Sequence, residues 1–357
     1  MTEYTPVPET LDFKIGQMLM IGFEGAEVRA GTPAGDALID AISNLHVGGV
    51  IVFDSENPSA GNIRSPEQLK ALSASLQRLA AVPLLIAIDQ EGGNVARLGP
   101  HNGFPATPSQ QHLGDLNDLA VTRSTAEATA NTLREYGVNL NFAPVVDLNV
   151  NPTNPIIGSL DRCFSADPVI VAEHARAVVE AHLERGVLCS LKHFPGHGSS
   201  QADSHLGFVD VSDTWTSTEL YPYKQFVAWG IPHMIMTAHI FNSHLDPDLP
   251  ATLSRKTLTD LLRDELGFDG VVITDDVLMR AISSYYSFEN TLELTMQAGV
   301  DIIMICNSLI YGPGTIGRAI SIIRAMVERG EISPERIDRS YQRIKRLKAL
   351  VAVTSDQ

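Results

Sequence analysis

The chain has 357 residues, 44% hydrophobic and 19% charged, and a formal net charge of -16 from 26 basic and 42 acidic residues. Such a composition describes a globular protein with a large core, and α/β barrels reach this length as one domain. So acidic a surface repels nucleic acid and anionic lipid, no apolar run approaches a membrane span, and three cysteines are too few for a disulfide framework. Cys163, Cys189 and Cys306 each sit in or beside an apolar segment and are expected to be reduced and buried.

The first nine residues carry acids and prolines and no apolar h-region, so no signal peptide is expected, a cytoplasmic location follows, and residues 1–12 read as a short extension. Eight apolar runs then recur, at 18–23, 48–53, 83–89, 139–147, 187–193, 233–239, 270–275 and 301–307. They are rich in Val, Ile, Leu and Met without clean alternation, as strands buried on both faces of a parallel sheet require. Helical patterns separate them. Ser65-Pro66-Glu67-Gln68 combines an N-cap, a proline at N1 and a capping-box glutamine, and Leu69, Leu72, Leu76 and Leu79 then share one face. Further helices read at 168–185, 254–266 and 315–329. A last one starts at Ser333-Pro334 and turns Ile337, Tyr341, Ile344 and Leu347 inward. Eight strands alternating with helices predict an α/β fold: one (β/α)8 TIM barrel over residues 1–357. An open doubly wound sheet is the alternative, but no Gly-x-Gly-x-x-Gly follows the first strand, and no cofactor is expected.

Polar residues gather where five of these strands end. The third leads into Asp89-Gln90-Glu91-Gly92-Gly93 and Arg97, the fourth into Asp147, Asn154, Asp161 and Arg162. The fifth delivers Lys192 and His193, then a glycine-punctuated loop with His197, Asp203 and His205. The sixth ends at His239, the seventh at Asp275-Asp276. Charges at strand ends of a buried sheet are tolerated when paired or needed, and the loops after barrel strands converge on one mouth. Two chemistries fit. In glycosidic cleavage, Asp275 supplies a carboxylate and His205 a proton donor, with Asp203 two residues earlier fixing the imidazole tautomer. In metal hydrolysis, His193, His197, Asp203 and His205 form a zinc site. His197, His239 and Asp276 read as hydrogen-bonded scaffold. Asp147 reads equally as a strand cap or a substrate contact.

Together these segments resemble the β-N-acetylglucosaminidase (β-N-acetylhexosaminidase) branch of glycoside hydrolase family 3. The most specific element is Lys192-His193-Phe194-Pro195-Gly196-His197-Gly198 followed by Asp203-Ser204-His205. The resemblance implies that Asp203 and His205 are the acid/base dyad and that Asp275, first of the tandem acids before Val277-Leu278-Met279, is the nucleophile. It likewise implies that Asp89, Arg97, Arg162, Lys192, His193 and Met279 contact the sugar. Asn94, where an arginine is common, and Cys163, within Arg162-Cys163-Phe164, depart from the pattern. The expected activity is retaining removal of terminal N-acetylglucosamine from muropeptides or chitin oligosaccharides, with a carbohydrate substrate and no metal. Phosphorolysis on the same site is the alternative, because a neutral histidine does not repel an incoming phosphate.

Overall fold

The computed structural model describes residues 8–54, 61–306 and 314–352. Eight strands form one parallel sheet: β1 Leu19–Gly22, β2 Gly49–Ile51, β3 Leu85–Ile88, β4 Leu140–Asn141, β5 Leu188–Phe194, β6 Met234–Thr237, β7 Val271–Ile273 and β8 Ile303–Ile305. Neighbours in sequence are neighbours in the sheet, with registers such as Ile21↔Val50, Val50↔Ile86 and Ile235↔Val272. β8 returns to pair with β1 through Met20↔Met304, and a parallel bridge Ile273↔Ile302 closes the seam between β7 and β8. The sheet is therefore a closed barrel, and closure leaves no strand edge for another chain to pair with.

Each strand is followed by a helix packed outside it: Pro33–Ser43, Pro66–Leu79, Leu119–Glu135, Pro168–Leu183, Tyr221–Trp229, Lys256–Glu265, Phe288–Ala298 and Thr315–Glu328. This is the (β/α)8 architecture that the alternation of apolar runs predicts. The strands are buried throughout, which explains why they read as continuous apolar stretches. Ser65 Oγ accepts the Gln68 N–H at 3.2 Å, as an N-cap does, whereas the Gln68 side chain reaches one residue further back, to the Arg64 N–H. The helix Lys256–Glu265, read as α, is wound more loosely as a π-helix; the Leu266 N–H reaches back five residues to Leu261 O.

Two boundaries differ clearly from the sequence reading, and a third runs beyond the described residues. The fourth run, 139–147, forms a continuous ladder only over Leu140–Asn141 and meets β5 again at a single bridge, Val145↔Lys192. Leu11 and Asp12, read as the end of an extension, open a helix, Leu11–Gln17, that Thr10 caps. The eighth run extends to Asn307, which lies outside the described residues. Below the barrel, the final helix Pro334–Ala352 packs against Leu11–Gln17, with Ile337, Tyr341, Ile344 and Leu347 buried as expected. Among the described residues no helix is long and apolar enough to cross a membrane.

Candidate active site

A cavity of about 390 Å³ opens at the C-terminal end of the strands. Its floor and walls are apolar, from Ile51, Phe53, Phe142, Met236 and Met304, and a ring of charge stands above them. Eight of the nine residues singled out in the sequence line it: Asp89, Arg97, Arg162, Lys192, His193, His205, Asp275 and Met279. The ninth, Asp203, stands behind His205 rather than in the cavity wall.

The cationic side is built as a chain of pairs. β5 carries Lys192 and His193 across an irregularity in its register with β6, between Leu191 and Phe194. Such an irregularity re-aims side chains next to a site. Lys192 Nζ lies 2.7 Å from Asp89 Oδ1 and 2.7 Å from Glu91 Oε1. Glu91 also receives Arg162 as a fork, Nε to Oε2 at 2.7 Å and Nη2 to Oε1 at 2.8 Å, while Arg162 Nη1 donates to Ile156 O. Burial alone would raise the Glu91 pKa, but Arg162 and Lys192 outweigh it and hold the carboxyl at about 2. Burial would lower the Lys192 pKa, and Asp89 and Glu91 raise it instead. Lys192 and Arg162 therefore stay cationic while buried, which is possible because the partner carboxylate is buried with them. Arg97 lies looser, 3.8 Å from Asp89 Oδ2 and 3.5 Å from Asp54 Oδ1, with its guanidinium over the Phe53 ring.

His193 is held by Asp147, which sequence left ambiguous. Asp147 Oδ2 accepts from the ring Nδ1 at 2.7 Å, and Oδ1 accepts the backbone N–H groups of His193 and His197. A carboxylate only accepts, so Nδ1 carries the proton and Nε2 is left for a ligand. Burial would raise the Asp147 pKa; His193 and the other donors lower it. His197 bonds Ser200 through Nδ1, and burial drives its pKa down to about 4, so it is neutral. His239 bonds Thr252 Oγ1 and donates from Nε2 to Asp276 O, the scaffold role read from the sequence.

The tandem acids after β7 divide. Asp275 faces the cavity, and its Oδ1 accepts the Asp276 N–H at 2.7 Å. Burial opposes its ionisation, but the fields of His239 and His193, that N–H and Lys192 hold the carboxyl below the usual range. Asp276 Oδ1 accepts from Leu278 and Cys306 N–H groups and fixes the turn, while burial pushes its pKa up to about 6. Met279 closes that turn with a backbone bond to Asp276 O.

His205 comes from the β5 loop. Its ring Nδ1 lies 2.7 Å from Asp203 Oδ1, so Nδ1 carries a proton and donates it in a hydrogen bond to the carboxylate, while Nε2 remains free. The loop is anchored to the β7 segment: the Ala281 N–H donates to Ser204 O at 3.3 Å. Thus the histidine loop and the tandem acids, some seventy residues apart in the chain, share one pocket.

Three polar residues were not singled out in the sequence. Asp54 pairs with Arg97, and Glu91 organises Lys192 and Arg162. Glu219 lies under the β5 loop, where its Oε2 accepts the Gly198 N–H at 3.0 Å. The four side chains weighed for zinc are engaged separately: His193 with Asp147, His197 with Ser200, and Asp203 with His205. Among the described residues, no group of three or more His, Cys, Asp or Glu is arranged to hold a metal ion. Cys163 and Cys189 are buried, Cys306 is partly covered and lines the cavity, and all three are free thiols.

A closed parallel barrel whose C-terminal mouth holds ionised acids, fixed cations and oriented imidazoles defines a barrel enzyme. Its relatives specify which. The family model described as the Glycosyl hydrolase family 3 N terminal domain matches residues 10–347. A beta-hexosaminidase of Nitrosomonas eutropha is 39% identical over 275 residues, covering 74% of this chain and 75% of that relative. A beta-hexosaminidase of Xylella fastidiosa is 36% identical and covers 86% of this chain and 87% of its own. Beta-hexosaminidase A of Pseudoalteromonas piscicida is 34% identical over 98% of this chain, which spans 62% of that protein. The structure of a family 3 beta-N-acetylglucosaminidase from a Paenibacillus species superposes with a TM-score of 0.86 at 39% identity, over 96% of this chain and 63% of that one. The chain belongs to glycoside hydrolase family 3.

Proposed function

We propose that this glycoside hydrolase is a retaining β-N-acetylhexosaminidase that removes terminal N-acetylglucosamine from muropeptides or chitin oligosaccharides. One observation carries the reading: His205, backed by Asp203, and Asp275 line the same cavity. The names of the relatives support the sugar class.

In this mechanism Asp275 attacks the anomeric carbon as its ionised carboxylate. The bond to the leaving oxygen breaks, and His205 Nε2 delivers its proton to that oxygen. A covalent glycosyl-Asp275 ester results, and His205 is left neutral. Water then attacks the same carbon, gives its proton to His205 and releases Asp275. Asp203 keeps the proton on Nδ1 throughout and stabilises the imidazolium. Asp89 and Arg97 grip hydroxyls, and Met279 packs against the bound ring. The Lys192 and His193 side chains also face the sugar, held by Asp89, Glu91 and Asp147. Arg162 acts at the same wall, chiefly through Glu91. Fixed charges of this kind need no reorganisation when positive character develops on the sugar.

The test is a comparison of nitrophenyl N-acetylglucosaminide with nitrophenyl glucoside, on wild type and on Asp275→Ala. Wild type is expected to prefer the N-acetylated sugar. The variant is expected to lose at least roughly a thousand-fold in turnover with an unchanged circular dichroism spectrum, as loss of a covalent nucleophile does. Near-normal turnover by the variant removes Asp275 from this role. Release of sugar 1-phosphate when phosphate is added replaces hydrolysis by phosphorolysis.

A further inference from the structure

Among the described residues only two Phe, Tyr or Trp side chains stand out as exposed, Phe208 at 47% and Tyr285 at 61%. They touch each other, with ring centroids 5.8 Å apart at 63°, and Phe208 rests in addition on Phe241 at 5.4 Å. Leu206, the most exposed large apolar residue at 73%, belongs to the same loop. The exposed rings thus sit together, and they do so beside the mouth of the cavity. Phe208 lies three residues past His205. Tyr285 lies just past the turn whose Ala281 N–H bonds Ser204 O. Neither ring lines the cavity itself; the His205 loop and the Met279 turn, which do line it, carry them.

That position says what would cover them. A proton donor must sit at the glycosidic oxygen, so whatever leaves with that oxygen emerges on the donor's side. A pyranose carries an axial C–H face that is apolar and flat, with hydroxyls around its edge. An aromatic pair supplies the matching surface and leaves the hydroxyls in water. We propose that Phe208 and Tyr285, with Leu206, are a stacking platform for the sugar residue in the leaving group. This rests on the hexosaminidase reading, in which both substrate classes carry a pyranose there, and adds to it the residues that hold that pyranose.

The experiment compares two substrates with the same glycone, N,N′-diacetylchitobiose and methyl β-N-acetylglucosaminide. Phe208→Ala and Tyr285→Ala are each expected to lower kcat/KM for the disaccharide roughly ten-fold relative to their effect on the methyl glycoside, as loss of an aromatic contact does. Tyr285→Phe is expected to keep the wild-type ratio, since it keeps the ring. An equal fall for both substrates would mean that the rings merely support the His205 loop, and would overturn the platform. No fall for either overturns it too, as does a wild type that sediments as a dimer and a Phe208→Ala/Tyr285→Ala variant that is monomeric, because the patch then joins two copies. In each of these cases the wild type still cleaves both substrates, so the hexosaminidase reading survives. A wild type that cleaves neither brings that reading down and the platform with it.

Discussion

Two ionisable side chains show how neighbours decide chemistry. His205 has one ring nitrogen committed to Asp203 and the other open to the cavity. In the proposed mechanism it is the general acid, a role that matters most when the departing oxygen is a poor leaving group. His205→Ala is expected to slow a disaccharide by roughly two to four orders of magnitude and an activated nitrophenyl glycoside far less in the bond-breaking step. Equal slowing of that step for both would deny it the acid role. Glu219 is the opposite case, a buried carboxyl without a cation. Burial lifts its pKa from 4.5 to about 7, with Asp147 adding to the rise and the Gly198 N–H resisting it. Below pH 4.5 it is protonated in folded and unfolded chain alike. Between 4.5 and about 7 the unfolded chain ionises first, so stability falls as pH rises; above that the full loss, on the order of 3 kcal/mol, persists. Glu219→Gln keeps an acceptor for Gly198. Its Tm advantage over wild type is therefore expected to open between those pH values and then stay level. A pH-independent difference would sink this account.

The β5 loop illustrates what an element contributes. Gly198 approaches the neighbouring chain so closely that a Cβ there would lie 1.8 Å from Leu148 O, a backbone atom that has nowhere to go. Gly198→Ala is expected to destabilise the protein by about 2 kcal/mol or more and to cost most of the activity by displacing the His205 loop. Gly207, in the same loop, has nothing within 4 Å of its Cβ position, and Gly207→Ala is expected to change stability by less than about 0.5 kcal/mol. Thermal melts of the two variants check both. At this scale the sequence was readable wherever burial dictated composition. Seven of the eight barrel strands fall within apolar runs, β5 passes the end of its run by one residue, and Ser65 and Pro66 mark a helix start to the residue. It was unreadable where a partner is remote. Nothing near His193 announces Asp147, 46 positions away, and nothing near Arg162 announces Glu91, 71 away. Nor does a local pattern separate a ten-residue π-helix from an α-helix, since their periods diverge too little over that length. The β4 run overshoots because Phe142 to Val146 stay buried after leaving the ladder; burial, and not pairing, is what apolar composition records.

At the scale of the molecule, the barrel gathers its site chemistry at one end, yet charge is buried away from the mouth as well: Asp301, just before β8, holds Arg263 and Arg343. Lys348, on the final helix, is buried below the barrel and donates to Gln17 Oε1 at 2.7 Å. Burial lowers its pKa from 10.5 to about 7. Above pH 10.5 the amine is neutral in both states. As pH falls from there to about 7, the unfolded chain gains a proton that the folded chain refuses, and stability declines by an amount on the order of 4 kcal/mol. Lys348→Met, of similar length, is expected to melt higher than wild type at pH 7, with the gap narrowing by pH 9.5 and kcat/KM unchanged. A constant gap would count against it.

The mouth itself is lopsided. The ring of His205 is 59% exposed, whereas Lys192, opposite, is 3% exposed. In the proposed cycle that imidazole surrenders a proton and regains one at every turnover. The attacking water must reach that nitrogen to return the proton, and an exposed ring admits it directly from solvent, with no channel through the protein. That open flank is also where the proposed platform of Phe208 and Tyr285 stands, so in this reading a second sugar is held and the chain beyond it is left unrestricted.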